Sequence, residues 1–211
     1  MERGKILFEN YDELNEMQID MLREIGNIGA GNAATALATI LDEKVDMSVP
    51  SVRITGFDEA VENLGGAESL TVAVLVNFGG DANGMIMFLL NVEDAKSIMD
   101  ILVGEDDGEE GLSEMKISGI KEIGNILASS YVNAISALTG LTIEVSVPYV
   151  AIDMVGALMS VPIIEFGAIG DKLMFIEENF EGETNDLKSN MIMFAEINTL
   201  KTIMQKLGLE I

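Results

Sequence analysis

The stretch Glu24-Ile25-Gly26-Asn27-Ile28 recurs 98 positions later as Glu122-Ile123-Gly124-Asn125-Ile126. The match continues in the same register, because Ser48-Val49-Pro50 recurs as Ser146-Val147-Pro148 with no insertion or deletion between the two anchors. Five identities followed by three more at one offset indicate an internal duplication rather than chance. The sequence therefore predicts two copies of one structural unit.

Each repeat shows the same order of predicted elements: a long helix, a short strand that ends at the proline, a hairpin and a closing helix. The expected long helices span residues 12–41 and 113–138, and the expected short strands span 45–49 and 142–147. The expected hairpins pair 70–78 with 84–90 and 172–179 with 190–195. Asn91 and Asn198 are expected to cap the two closing helices, and Leu200, Ile203, Met204 and Leu207 to form the apolar stripe of the last one.

The fold class follows from these elements. Hairpins imply antiparallel pairing, so we expect an α/β protein of the α+β type with an antiparallel or mixed sheet and the two long helices on one face. The two repeats, about 12–103 and 113–208, are expected to form a single pseudo-twofold domain over residues 1–211. The acidic stretch 104–112 is expected to join them as a solvated linker.

Composition excludes several classes of function. The chain has 211 residues with 12 basic and 36 acidic side chains, a formal charge of −24, and neither Cys nor His. Phosphate backbones and anionic membranes would repel such a protein, so we expect neither a nucleic-acid nor a membrane partner. Thiolate and imidazole chemistry is absent, so catalysis must use carboxylates, amides, hydroxyls, Lys or backbone groups. We see no signal peptide and no apolar run of about 20 residues, and we expect a cytoplasmic location.

A helical wheel gives each long helix two faces. Glu24 and Asn27 share an outward face in the first helix, and Glu122 and Asn125 share the matching face in the second. Asp20 and Ser118 precede them on the same faces. Gly31, Ala34 and Ala38 are expected to continue the outward face of the first helix. The buried stripes are expected to contain Leu22, Ile25, Gly29, Ala33, Ala36 and Ile40 in the first helix, and Ile120, Ile123, Leu127, Tyr131, Ala134 and Leu138 in the second.

The recurrence of the Glu/Asn pair argues for a role beyond solvation. The first helix also tolerates Gly26, Gly29 and Gly31, each of which costs about 1 kcal/mol relative to Ala in a helix. Close packing, or close approach of another protein, would explain them. The segment 29–34 also fits the G-x-G-x-x-A dinucleotide fingerprint, but that fingerprint requires a buried strand before it, and here a charged helical pattern precedes it.

At these residues the chain resembles the CheC/CheX/FliY phosphatases of bacterial and archaeal chemotaxis. Their motif is Asp or Ser, three residues, Glu, two residues, Asn, twenty-two residues and Pro. Asp20, Glu24, Asn27 and Pro50 match it in the first repeat, and Ser118, Glu122, Asn125 and Pro148 match it in the second. Two motifs in a chain of this length, with no room for an added flagellar-switch domain, look most like the CheC type.

The resemblance implies a substrate and roles for these residues. The substrate would be a CheY-type receiver phosphorylated on aspartate, which carries its own Mg²⁺, so no intrinsic cofactor or metal is expected. Glu24 and Glu122 would accept the receiver's Lys as an ion pair. Asn27 and Asn125 would orient a water for in-line attack, which suits phosphoryl transfer because its catalysis depends mostly on positioning and electrostatics. Asp20 and Ser118 would have supporting roles, and the prolines structural ones.

Two other interpretations stay open at this point. A non-catalytic adaptor could bind a receiver or a CheD-type receptor deamidase. Asp153, in Ile152-Asp153-Met154, is a candidate contact for that partner because the first repeat has Thr55-Gly56-Phe57 at the matching positions, although local loop divergence explains this difference as well. A metal-dependent hydrolase could use the acids of 105–110, but they lack the spacing of an EF-hand loop.

Overall fold

The computed structural model describes residues 8–41, 45–47, 50–103, 112–166, 172–182 and 186–209. The strands are β1 (Val45–Met47), β2 (Ser51–Gly56), β3 (Leu70–Gly80), β4 (Gly84–Asn91), β5 (Ile143–Val145), β6 (Tyr149–Met154), β7 (Lys172–Gly182) and β8 (Asp186–Ala195). The helices are α1 (Glu16–Leu41), α2 (Phe57–Asn63), α3 (Val92–Val103), α4 (Glu114–Thr139), α5 (Val155–Phe166) and α6 (Ile197–Lys206), and a 3₁₀ turn, Tyr11–Glu13, precedes α1.

Local capping determines where the two long helices begin. At the start of α1, the Asn15 side chain accepts from the Gln18 backbone N–H at 3.0 Å, and the Gln18 side chain accepts from the Asn15 N–H at 2.9 Å. This reciprocal capping box satisfies two backbone donors that the helix leaves free. Ser113 caps α4, and Gly140 ends it in the left-handed conformation with φ 72°. The predicted start of the first helix at residue 12 is too early, because the 3₁₀ turn occupies that segment.

The two repeats exchange strands within one antiparallel sheet. The strand order is β1-β7-β8-β4-β3-β5, with β2 also paired to β7 and β6 also paired to β3. Thus β1 and β2 of the first repeat pair with the hairpin of the second, while β5 and β6 of the second pair with the hairpin of the first. Each repeat completes the sheet of the other.

The pseudo-twofold axis passes between the two central strands, β4 and β8. Met85-Ile86-Met87-Phe88 in β4 recurs as Met191-Ile192-Met193-Phe194 in β8. These two segments pair with each other in antiparallel register, Met85 opposite Phe194 and Phe88 opposite Met191. Equivalent residues therefore lie symmetrically about the middle of the sheet, as the duplication requires.

Helices cover both faces of the sheet. One core joins α1, α3, α4 and α6 to alternate residues of the central strands, and a second core joins α2 and α5 to the remaining ones. This explains why β3 and β4 are buried along almost their whole length rather than in alternation. The predicted antiparallel sheet with both long helices on one face is confirmed. The sequence did not predict the short strands β2 and β6 or the helices α2 and α5.

Several local predictions can be compared with the structure. Asn91 caps α3, since its side-chain oxygen accepts from the Asp94 N–H at 2.7 Å. The predicted cap at Asn198 is wrong, because α6 already begins at Ile197 and Glu196 is the residue before it. The apolar stripe of α6 is confirmed in Leu200, Ile203 and Met204, which are buried, and Leu207 packs against the same core.

Two predictions from the helical wheel are wrong. Ala34 is buried rather than outward, because α1 packs against α4 as well as the sheet and its apolar face is wider than one stripe. Leu138 is 39% exposed, since it lies in the last turn of α4 just before the chain turns away at Gly140. The predicted acidic linker lies outside the described residues, apart from its last residue, 112. Among the helices described, none combines the length and apolarity that crossing a membrane would require.

Candidate active site

The structure places each predicted Glu/Asn pair on one face of a long helix. Glu24 and Glu122 are exposed, whereas Asn27 and Asn125 are half-buried. Residues three apart on a helix have Cβ atoms about 5–6 Å apart, so each carboxylate lies beside its carboxamide. A negative acceptor and a neutral amide therefore share each surface.

The glycine within each pair lets the helix lie close to the sheet. A Cβ atom on Gly26 would lie 2.6 Å from Cγ2 of Val52 in β2, and one on Gly124 would lie 2.5 Å from Cγ1 of Val74 in β3. Both distances are far shorter than a van der Waals contact. The repeated Gly thus holds the Glu/Asn turn against the sheet, and the close-packing explanation suggested by the sequence applies at both positions.

Gly29 serves a different contact. A Cβ atom there would lie 2.4 Å from the ring of Tyr131, so this glycine allows α1 and α4 to approach each other. Gly31 faces open space, and a methyl group added there would have no neighbour within 4 Å. The segment 29–34 lies in the middle of α1 with no strand before it, which agrees with the rejection of a dinucleotide fingerprint.

In the second repeat the four motif positions line one open groove of about 770 Å³. Ser118, Glu122 and Asn125 come from α4, and Pro148 comes from the segment between β5 and β6. Residues far apart in the sequence are thus brought together on one surface. The other residues that line this groove are Met115, Gly119, Lys121, Val145, Ser146 and Val147.

The repeated Ser-Val-Pro segment shapes the wall of this groove. Val145 pairs with Phe78 and Tyr149 pairs with Leu75, so three residues of the edge strand lie opposite two residues of β3. The extra residue makes a bulge, and Pro148 suits it because proline cannot donate a ladder hydrogen bond. Ser146 anchors the bulge: its N–H donates to the Asn77 carbonyl at 2.8 Å, and its Oγ accepts from the Asn77 N–H at 3.0 Å.

The first site differs in charge from the second. Asp20 forms an ion pair with Arg23 at 2.8 Å, and the two side chains are 68% and 54% exposed. Arg23 also donates from Nε to the Val52 carbonyl at 3.4 Å. Pro50 is buried just before β2, but residues 48 and 49 are outside the described residues. In the second repeat Ser118 and Lys121 replace this acid and base, so the ion pair has no counterpart there.

This arrangement offers carboxylate, amide and hydroxyl chemistry. An exposed carboxylate can accept a cationic side chain, and a carboxamide can donate to and accept from one water at the same time. Across the described ranges, no three His, Cys, Asp or Glu side chains cluster closely enough to hold a metal.

Sequence reasoning missed several residues of the groove. Lys121, Met115, Val145 and Val147 line it although none was predicted to do so. The signal that pointed to Val147 was the Ser-Val-Pro repeat, which was interpreted only as a strand end. Met115 occupies the position that Met17 occupies in the first repeat, a recurrence that was visible in the sequence.

Asp153 lies away from this groove. It is exposed in β6 opposite Thr71, and its carboxylate accepts from the Met154 N–H at 2.7 Å. Its neighbours Ile152 and Met154 are 41% and 52% exposed. At the 98-residue offset of the repeats the matching residues are Ile54, Thr55 and Gly56, which end β2 as Ile152, Asp153 and Met154 end β6, so the predicted match to Thr55-Gly56-Phe57 is wrong by one position. Thr55, the counterpart of Asp153, is buried. The difference between the repeats therefore lies in strand residues rather than in a loop.

Comparison with known proteins shows which family this chain resembles. A model described as the CheC-like family matches residues 17–54 and 115–152, the segments that carry the two motifs. The chain is 34% identical over 203 residues to the CheY-P phosphatase CheC of Bacillus subtilis, covering 94% of this chain and 97% of that protein. It is 32% identical over 141 residues to the flagellar motor switch phosphatase FliY of the same organism, covering 66% of this chain and 36% of that one.

Solved structures show the same architecture. Thermotoga maritima FliY superposes with a TM-score of 0.71 at 27% identity, over 92% of this chain and 98% of the other. The FliM middle domain from H. pylori superposes with a TM-score of 0.65 at 12% identity, over 92% and 99%, which shows a shared fold. With a duplicated motif, a matching family model on both copies and similarity to a CheC protein along nearly its whole length, the chain belongs to the CheC-like family.

Proposed function

We propose that this protein hydrolyses the aspartyl phosphate of a CheY-type response regulator in chemotaxis signalling. The observation that carries the proposal is the recurrence of one Glu/Asn pair on the outward faces of α1 and α4, each pressed against the sheet by a glycine. Two relatives of this chain are named as phosphatases, one of them for CheY-P. The pairs supply the positioning chemistry that phosphoryl transfer needs.

Glu24 and Glu122 have the docking role. Each carboxylate is exposed and would form an ion pair with the Lys of the receiver's phosphorylation site. That contact would hold the partner in register and draw the Lys away from the phosphoryl group. Asp20 and Ser118, which precede them on the same helix faces, would support this contact.

Asn27 and Asn125 have the catalytic role. A half-buried carboxamide on a helix fixed against the sheet has little freedom, so it can hold a water at a defined angle. The water would attack phosphorus in line with the departing aspartate oxygen. The receiver would contribute its own Mg²⁺ to stabilise the charge on the phosphoryl oxygens, and this chain would contribute no metal.

The two sites are well separated. The first lies over β2 at one edge of the sheet, and the second lies over β3 and beside β5 near the other edge. Four inter-strand steps separate β2 from β3, which corresponds to roughly 19 Å at the usual strand spacing. Mutations at sites this far apart act independently, so we expect their activities to add.

The test is phosphate release from a phosphorylated CheY-type receiver at substoichiometric amounts of this protein. Asn27→Ala combined with Asn125→Ala should lower the rate by about 10²-fold or more, because misplacing the water by about 1 Å has an effect of that order. Each single variant should keep the rate of its intact site. Asn32→Ala and Asn133→Ala remove exposed amides elsewhere on the same helices and serve as matched controls. Unchanged turnover in the double variant would refute these roles.

A second candidate function is that of an adaptor for a CheD-type deamidase. The observation that favours it is the exposed strip of Ile152, Asp153 and Met154, of which the first repeat reproduces only the isoleucine, since Thr55 and Gly56 match Asp153 and Met154. An adaptor would bind the phospho-receiver without accelerating phosphate release, so turnover separates the two functions. Asp153→Lys should weaken binding of the deamidase and leave basal turnover intact.

We also propose that the whole chain acts as one domain in the cytoplasm. The sheet shared by the two repeats supports the single domain. The absence of Cys fits a reducing compartment.

A further inference from the structure

Two exposed methionines recur beside the two sites. Met17 and Met115 occupy matching positions in the first turns of α1 and α4, and they are 65% and 67% exposed. Large apolar side chains this exposed are few among the described residues, and an isolated one needs no explanation. The two methionines have nearly the same exposure at the same position of each repeat, and a shared role would explain this recurrence.

Both methionines face the same way as the Glu/Asn pairs. At 100° per residue, positions 17, 20, 24 and 27 fall within an arc of about 80° on the helix surface. The equivalent residue Met115 lines the groove that also contains Glu122 and Asn125. Opposite α4 in this groove are Val145 and Val147, which are 36% and 79% exposed. The polar pair thus continues into an apolar rim.

Net charge makes such a rim useful. The chain carries a charge of −24, and a phosphorylated aspartate site brings more negative charge to it, so long-range electrostatics oppose the encounter. Contact between apolar side chains does not depend on the sign of the charge on either protein. Methionine suits the task because its flexible, polarisable side chain adapts to an irregular partner surface.

We propose that Met17 and Met115 are docking residues that pack against an apolar surface of the phospho-receiver next to its phosphorylated aspartate. This inference rests on the proposed function and adds the contact that gives the complex its affinity. Glu24 and Glu122 orient the receiver, while the methionines supply much of the binding energy. The methionines take no part in the chemical step, so their effect belongs in KM rather than in kcat.

The experiment uses backgrounds in which one site works. Met115→Gln is made with Asn27→Ala, and Met17→Gln is made with Asn125→Ala. In each case KM for the phospho-receiver should rise about five- to tenfold, as expected when an exposed methyl-thioether no longer becomes buried, while kcat stays within about twofold. Met115→Leu and Met17→Leu should restore KM, because leucine keeps the apolar surface.

The control is Ile164→Gln in the same backgrounds. Ile164 is 82% exposed on α5, on the opposite face of the sheet, so its replacement should leave KM unchanged. Binding of a beryllofluoride-activated receiver, measured by titration calorimetry, should weaken by the same factor as KM. That factor should persist when salt is raised from about 50 to about 500 mM, because screening does not act on apolar contact.

The outcomes separate this inference from the proposed function. If the unmutated protein releases phosphate and the Gln variants keep the parental KM and receiver affinity, the docking role is overturned and the phosphatase stands. An effect on kcat alone would also overturn it. If the unmutated protein does not accelerate phosphate release, the proposed function itself fails, whatever the methionines do to binding.

Discussion

At the scale of single residues, the glycine inside each Glu-Ile-Gly-Asn segment has a steric purpose. It lies in helical backbone that any residue adopts, so conformational freedom does not explain it. The glycine is explained by lack of space, because Val52 and Val74 occupy the volume that a side chain would need. The same closeness fixes the height of the neighbouring Asn above the sheet.

Replacing this glycine should therefore destabilise the protein although alanine favours helix. We expect Gly124→Ala to lower the free energy of unfolding by about 1–3 kcal/mol, the usual effect of overpacking. Gly31→Ala is the matched control, because nothing lies within 4 Å of its added methyl group, and it should raise stability by up to about 1 kcal/mol. Urea unfolding measures both. Equal effects of the two substitutions would contradict the packing argument.

The sequence predicted this residue-level picture in part. The period of 3.6 was enough to place Glu24, Asn27, Glu122 and Asn125 on outward faces. It could not predict the burial of Ala34, because the period alone does not show that α1 also packs against α4. The apolar wall of the groove was missed for a similar reason, as it depends on the bulge at Ser146-Val147-Pro148, beyond the end of α4.

At the scale of elements, Tyr11 joins the 3₁₀ turn at the start of the described chain to β8. Its hydroxyl donates to the Ala195 carbonyl at 3.1 Å and accepts from the Ala195 N–H at 3.2 Å. The ring is 3% exposed. Burial raises the pKa of Tyr11 to about 12, and the backbone hydrogen bond to Ala195 opposes this shift.

The raised pKa predicts a loss of stability at alkaline pH. Below pH 10 the phenol keeps its proton in both the folded and the unfolded state, so its contribution to the free energy of unfolding is fully present. Between about pH 10 and 12 the unfolded chain releases the proton first, and the free energy of unfolding should fall by roughly 1.4 kcal/mol per pH unit from this group. Tyr11→Phe should remove that slope, whereas Tyr149→Phe, at a ring 68% exposed, should retain it. Urea unfolding at several pH values is the measurement, and parallel pH curves for wild type and Tyr11→Phe would contradict this account.

The long helices and strands were easier to predict from the sequence than the short ones. The two 26-residue helices and the long hairpins have strong periodic or β-rich patterns, and the structure contains them. The short strands β2 and β6 follow the prolines and gave no separate signal. Helix α5 is apolar on all sides and contains Pro162, so its sequence shows neither a clear stripe nor an uninterrupted helical pattern.

At the scale of the whole molecule, strand exchange makes the two repeats interdependent. The edge strands of each repeat have their hydrogen-bond partners in the other. The central pair β4 and β8 also joins the two repeats. Each repeat on its own would keep only its hairpin, β3–β4 or β7–β8, and would lose the partners of its edge strands, although the two sites lie far apart.

This connectivity predicts a single cooperative unfolding transition. Calorimetry should give equal calorimetric and van't Hoff enthalpies, as for a two-state domain. In Gly124→Ala, a change within the second repeat, hydrogen exchange should accelerate together in β2 and β6. Two resolved transitions, or acceleration confined to the second repeat, would show that the repeats unfold separately.

The sequence predicted the duplication but not the exchange. Two matched segments reveal that a unit is repeated, and hairpins reveal antiparallel pairing. Whether an edge strand pairs with its own hairpin or with the other one depends on long-range geometry that no local pattern records. The repeated Met-Ile-Met-Phe tetrapeptide was the available clue, since its self-pairing in β4 and β8 defines the axis.

The exchanged strands also affect how such a chain can evolve. Loss of either half of the gene would leave the other half without partners for its edge strands, so the sheet needs both copies even when one site contributes little. Apart from the recurring residues, the outward faces of the helices take no part in the strand exchange and can differ between the two copies. Asp20 with Arg23 in one copy, and Ser118 with Lys121 in the other, already record that freedom. A duplicated scaffold of this kind can keep one site unchanged while the surroundings of the other site change.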